Sequence, residues 1–470
     1  MYRGRATTAV VFFLGCLALV LGLGACGGGG EGDQGSPTAG AAATAPAGGP
    51  VEITVWHSEV AANQDALEKL ASRYNSSQSD VRVKLVFQGT DEELVTKLMA
   101  SLGSSDLPNI ASLSEIHTQR LMDSGAIAPV QQFIDQKDYD LSGLNKNGVK
   151  YYTVGDELWA MPFSISVSML FYNKVTFREV GLDPEKPPRD LEEVRQVSER
   201  MLKRDANGNV TRAGIALDIV GWYLDFTMAE HGDFYANNEN GRAGRATEVL
   251  FNGPTGQAFF QWWHDMVESG LALNVGRNPT FADTLMAVAT GRAAMTLTSS
   301  AALRSVLGIL EQKPEGINWE LGVAMEPGVP GGTGLPGLFV HVLWILSSHP
   351  KEEQEAAWKF VKWLVEPEQQ AEWYTGSGWI PANVKALELP AAKEVEAKYP
   401  QFKIAADLCL SAPSTPTSVG ALLGPFTAIR EAVVRGIEEM VVGGKDPIAA
   451  INDAAKEAND LLQDYNSRVE

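Results

Sequence analysis

Cysteine is nearly absent: the 470 residues contain three. Cys16 and Cys26 both fall in an N-terminal stretch that reads as a leader, so Cys409 is left alone and an internal disulfide in the remaining chain is excluded. Cys409 stands between Leu408 and Leu410, the setting of a buried hydrophobe rather than of a nucleophile. The six histidines are scattered and no Cys/His set has zinc spacing, so no metal and no cofactor is expected. Positive charge is also scarce. Lys and Arg number 38 against 58 Asp and Glu, a net charge of −20, which argues against nucleic acid as a partner. Enzyme signatures are missing: no G-x-S-x-G elbow, no P-loop, no H-E-x-x-H and no dinucleotide fingerprint. The paired acids Asp91-Glu92-Glu93 open a helical pattern, where negative charge suits the helix dipole. Two opposed carboxylates of a glycosidase are not excluded by sequence. Beyond the leader no apolar run approaches the roughly 20 residues of a membrane-spanning helix, and no internal repeat is present.

What is present begins with Arg3 and Arg5, a positive n-region, followed by the almost wholly apolar Val10 to Leu23. Leu23-Gly24-Ala25-Cys26 then closes the run. This is the layout of a lipoprotein signal peptide over 1–25, with Cys26 as the lipidated residue. A plain secretory signal with a chance cysteine is the alternative. Diacylglyceryl attached at Cys26 supplies more than one acyl chain, enough for stable anchoring. The stretch 26–50 is Gly, Ala, Thr and Pro with almost no large apolar side chain, a flexible tether.

Beyond residue 50 the chain is long enough for two or more domains. Val51, Ile53 and Val55 alternate as a strand, and Leu67, Leu70, Ala71 and Tyr74 recur at helical spacing. Val81, Val83, Leu85 and Phe87 form a second strand. Thr90 with Glu93 makes a capping box ahead of Leu94, Leu98 and Leu102, and Ile110 to Leu113 is a third strand. The β-α-β-α-β order predicts a parallel sheet in an α/β domain. Met169 to Tyr172 is strand-like, Asp190 to Lys203 and Gly256 to Ser269 are helical, and the last third is helical, ending in a helix opened by Pro447.

Tryptophans number 11. Trp262, Trp263, Trp358 and Trp363 lie in helical stripes and read as core. Trp222 follows Gly221, and Trp379 follows Gly376-Ser377-Gly378. Each of these two reads equally as core or as an open platform on which a sugar ring could stack.

Several short segments, in this order, resemble the extracellular solute-binding proteins of ABC importers, in the branch that binds sugars and glycerol-3-phosphate. They are Trp56-His57-Ser58, Pro162-Phe163 leading to Phe171-Tyr172-Asn173-Lys174, Gly181-Leu182-Asp183-Pro184, Met295-Thr296 with Ser299-Ser300, and Thr375-Gly376 with Trp379-Ile380-Pro381. The resemblance implies an α/β, two-lobed periplasmic-binding-protein fold of type II, with discontinuous lobes and a hinge cleft. Lobe 1 is expected over 51–163 and 294–346, lobe 2 over 164–292 and 347–470. By the same resemblance the ligand site takes Asp91 after Gly89, Glu115 after the third strand, Ser166 in the crossover, Trp222, Ser299 and Trp379, with His57 after the first strand.

Two departures bear on the ligand. Where the glycerol-3-phosphate binders place an arginine, this chain has Leu422, and in place of a glycine pair before the return strand it has Phe339-Val340-His341. A cleft with Asp91 and Glu115 and no arginine at that position would repel a phosphate monoester, since an unpaired buried dianion is very costly. The expectation is therefore a monomeric, lipid-anchored, non-enzymatic receptor outside the membrane that captures a neutral sugar or oligosaccharide and delivers it to a permease. The alternatives are a receptor for glycerol-3-phosphate or a glycerophosphodiester, an exported glycosidase using Asp91 and Glu115, and a surface adhesin.

Overall fold

The computed structural model describes residues 49–104, 106–137, 139–277, 282–334 and 336–469. The expected signal peptide, Cys26 and the tether up to residue 48 lie outside them. Strands β1 Val51–His57, β2 Val81–Phe87 and β3 Ile110–Leu113 form the expected parallel unit, with β1 between the other two. Between them run helices Ala61–Ser77 and Asp91–Ala100. The second starts at the expected capping box: Glu93 N–H donates to Thr90 Oγ1 at 3.2 Å, and Thr90 N–H to Glu93 Oε2 at 2.8 Å. Further along come β4 Met161–Asn173, β5 Val210–Leu217, β6 Ala272–Asn274, β7 Ala293–Ser299, β8 Leu321–Met325, β9 Leu338–Leu346 and the short β10 Ile380–Pro381. Neighbouring strands follow the path β6-β5-β7-β4-β9-β3-β1-β2, with β8 and β10 also paired to β4.

β4 explains how one sheet path serves two lobes. All of its 13 residues are buried, as a strand covered on both faces requires. Its first half, Met161–Val167, pairs antiparallel with β9 and β10, and its second half, Ser168–Asn173, pairs antiparallel with β7 and β8. Two large apolar clusters lie on either face of β4, with Met169 and Phe171 in one and Leu170 and Tyr172 in the other. One surrounds Ile53, Leu70, Leu94, Phe163, Trp344 and Phe360; the other surrounds Phe177, Tyr223, Phe260, Trp263, Met295 and Ile437.

The sequence assigns 294–346 to the first lobe and all of 347–470 to the second, and the packing divides both stretches differently. Ala294, Met295 and Leu297 join the second cluster, because β7 pairs with the second half of β4 and with β5. Ala356 to Cys409 join the first cluster, while Phe426 to Leu462 join the second. An apolar stripe shows that a helix packs, not which lobe it packs on. Cys409 is buried, and burial pushes its thiol up to about 12, so it is an inert core side chain.

Candidate functional site

The C-terminal ends of β1, β2 and β3 bring His57 to Glu59, Phe87 and Ser114-Glu115 to one edge of the sheet, the usual place for a ligand in a parallel α/β layer. His57 is buried, and burial lowers its pKa against the opposing field of Glu68. Glu59 is buried with its carboxylate 3.7 Å from His341 Nδ1; burial raises its pKa and His341 opposes the rise.

Asp91 stands at a helix N-terminus, yet its oxygens are already engaged. Ser114 Oγ and His117 Nε2 lie 2.5 and 2.8 Å from Asp91 Oδ2, and Ser114 N–H donates to Oδ1 at 3.3 Å. Burial alone would raise its pKa, but His117 and Ser114 hold it well below the carboxylate range. The expected free acceptor is thus a bonded one that positions Ser114 and His117 beside Glu115.

Glu115 is buried between the lobes. Its Oε2 accepts from Val340 N–H of β9 at 3.3 Å, and its Oε1 stands 3.6 Å from Arg430 Nη2. Arg430 projects from helix Phe426–Val441, and its Nε and Nη2 each lie 2.6 Å from Asp225 Oδ2. Burial raises the Asp225 carboxyl to about 6, against the pull of Arg430. Tyr151, Phe226, Tyr235 and Phe426 complete the walls of this pocket, which carries three carboxylates, Glu115, Asp225 and Asp233, against the one guanidinium of Arg430 among the described residues. The expectation drawn from Leu422, no arginine at that position, holds there, but the pocket still has an arginine from elsewhere in the chain. Leu422 is a buried apolar side chain of the first cluster, whereas Arg430 on the following helix reaches the cleft.

Ser166, Ser299, Trp222 and Trp379 meet around β4. Residues paired across antiparallel strands share a face, and Ser164 pairs with His341, Ser166 with Phe339, and Ser168 with Ser299. Ser166 Oγ is buried with no hydrogen-bond partner among the described residues, while Ser299 Oγ accepts from Ala301 N–H at 3.1 Å. Phe339 packs edge-on against Trp222 at 5.3 Å between centroids and against Phe226 at 4.2 Å. His341 tilts over Trp379 at 4.8 Å. Trp222 and Trp379 are 6% and 7% exposed, so each is largely core, covered by a β9 side chain rather than standing as an open platform.

The comparisons with known proteins agree with this geometry. The family profile for bacterial extracellular solute-binding proteins matches residues 69–403. The chain belongs to that family. It is the solute-binding component of an ABC importer. It is 29% identical over 422 residues to the sn-glycerol-3-phosphate-binding periplasmic protein UgpB of Yersinia pseudotuberculosis, covering 88% of this chain and 93% of that one. The fold is shared with the cyclic alpha-maltosyl-1,6-maltose binding protein of Arthrobacter globiformis (TM-score 0.70, 24% identity, 88% of this chain and 100% of that one). It is also shared with UgpB of Mycobacterium tuberculosis in complex with glycerophosphocholine (TM-score 0.73, 18% identity, 89% and 99%). One fold thus hosts saccharide and glycerophosphodiester sites, so the ligand must be argued from side chains. No helix among the described residues is long and apolar enough to cross a membrane.

Sequence reasoning missed Arg430 and Asp225 in the pocket and the buried pair of Glu59 and His341 near the strand ends. Asp225 left a signal: it is a lone acid inside Trp222-Tyr223-Leu224-Asp225-Phe226, where a charge needs a buried partner. Arg430 left none, because its helix alternates apolar and charged positions as any surface helix does.

Proposed function

We propose that this importer subunit captures a neutral sugar or oligosaccharide between its lobes, closing on it by hinge bending, and is held at the membrane by lipid on Cys26. The observation that carries the reading is the charge of the pocket: Glu115 and Asp225 flank a single arginine that is already ion-paired, and Asp233 adds a further carboxylate to the lining. Carboxylates in such a wall accept hydroxyl protons, and Arg430 donates to ring or hydroxyl oxygens. Ser166 adds a buried hydroxyl without another partner among the described residues. Trp222 and Trp379 supply edges and partial faces to the sugar, with Phe339 and His341 beside them. Asp91 acts through Ser114 and His117. Ligand contacts reaching both lobes favour the closed form, which the permease then engages; no covalent chemistry is required.

A second reading keeps the fold and takes a glycerophosphodiester or glycerol-3-phosphate. The presence of Arg430 in the pocket favours it, together with the names of the relatives. The test is thermal unfolding of the chain beginning after Cys26 against di- and oligosaccharides, polyols, glycerol-3-phosphate and glycerophosphocholine, since a ligand that binds only the folded state raises Tm by mass action. A shift with a neutral saccharide and none with the phosphates supports the first reading. The reverse pattern establishes the second.

A further inference from the structure

Arg430 is the one arginine or lysine lining this pocket among the described residues, and its surroundings determine whether it can hold an anion. Its Nε and Nη2 both point at one oxygen of Asp225, each at 2.6 Å, and Glu115 Oε1 stands 3.6 Å from the same Nη2. All three side chains are largely buried, at 18%, 11% and 7% exposure for Arg430, Asp225 and Glu115. The two acids come from opposite halves of the molecule, Glu115 from the turn after β3 and Asp225 from helix Trp222–His231. Asp233 adds a third carboxylate to the same wall.

We propose that Asp225 is a specificity-determining residue that masks Arg430 and so rejects anionic ligands from a cleft otherwise able to bind them. This rests on the pocket of Glu115, Asp225 and Arg430 being the ligand site, as in the preceding reading. A phosphate seeking the guanidinium has to displace Asp225, or lie within reach of two fixed carboxylates in a poorly hydrated space. Like charges so placed disfavour the wrong ligand strongly. A neutral polyol meets no such repulsion: its hydroxyls donate to the carboxylates and accept from the arginine without breaking the ion pair. Recognition by charge is thereby set by an intramolecular partner of the arginine, not by the arginine itself. Chains that share the arginine but lack the acid would differ in ligand class.

The test compares the chain beginning after Cys26 with its Asp225→Asn variant, which keeps size and an acceptor for Arg430 but removes the charge. Glycerol-3-phosphate and inorganic phosphate are the anionic probes, and the neutral saccharide that raises Tm most is the control. Asp225→Asn is expected to bind glycerol-3-phosphate at least about tenfold more tightly than the unmodified chain, with a smaller change for the saccharide. An Asp225→Asn variant that unfolds cooperatively yet gains no anion affinity overturns the proposal, as does an unmodified chain that binds glycerol-3-phosphate as tightly as the variant. If Asp225→Asn does not fold, Glu115→Gln removes the other facing carboxylate and is expected to shift selectivity the same way; no gain there overturns the proposal. Gain of anion binding by the variant in a chain that binds no saccharide leaves the masking intact and removes the sugar reading, so the two can fail separately.

Discussion

Arg430 Nη2 stands 2.6 Å from Asp225 Oδ2 and 3.6 Å from Glu115 Oε1, so a single guanidinium bridges acids carried by the two lobes. Removing one member of a buried ion cluster leaves the others uncompensated. Arg430→Met is therefore expected to lower the unfolding free energy by about 3 kcal/mol or more, read from urea denaturation at pH 7.5. An unchanged midpoint would show that the two acids are adequately solvated without it.

Trp222 opens its helix and packs against Phe339 and Phe226 at the lobe crossover. Trp222→Ala is expected to weaken saccharide binding by about tenfold or more, the worth of a lost aromatic contact. Titration calorimetry reads it. Retained affinity would remove Trp222 from the site and leave it to packing alone.

Gly337 lies just before β9, where a Cβ would stand 1.8 Å from Phe226 Cδ1. Only glycine lets the crossing strand lie flat on that ring. Gly337→Ala is expected to destabilise by about 1–3 kcal/mol through overpacking and to weaken ligand binding as Phe226 moves. A variant with wild-type Tm and affinity would show that Phe226 has room to shift.

Glu326 is buried at the end of β8, and burial raises its carboxyl to about 8, with Ser168 opposing the rise and Glu230 adding to it. In the unfolded chain it titrates near 4.5, so the folded state binds the proton more tightly. Its contribution to stability is full below the unfolded value and is lost as pH rises toward 8. Glu326→Gln abolishes that loss. The variant is expected to match the unmodified chain near pH 4.5 and to exceed it at pH 8, by about 4 kcal/mol. Equal stability of the two chains at both pH values would contradict this.

Much of the fold was legible because local signals agree with the global arrangement. The alternation of Val51, Ile53 and Val55, the capping box of Thr90 and Glu93, and Pro447 at a helix start all describe local geometry and recur in the structure. Lobe membership was not legible, since the stripe at Phe360 and Leu364 fits any apolar surface. The candidate site was legible where a residue follows a strand end, as with Glu115, which lines the pocket, and less so where its chemistry depends on distant partners. Asp91 reads as a free acid until Ser114 and His117 are placed beside it. Trp222 and Trp379 read equally as platform and core until Phe339 and His341 cover them. Arg430 was hidden because Leu422 answers only for its own position, while the cleft is assembled from residues far apart in sequence.

The most direct measurement is calorimetric titration of the chain beginning after Cys26, at pH 7.5, with a neutral oligosaccharide chosen by thermal shift and, in parallel, with glycerol-3-phosphate and glycerophosphocholine. The account predicts saturable binding of the saccharide and no measurable heat from either phosphate. Saturable binding of a phosphate compound with none of the saccharide would contradict it, and would mean that Arg430 is open to an anion despite Asp225 and Glu115.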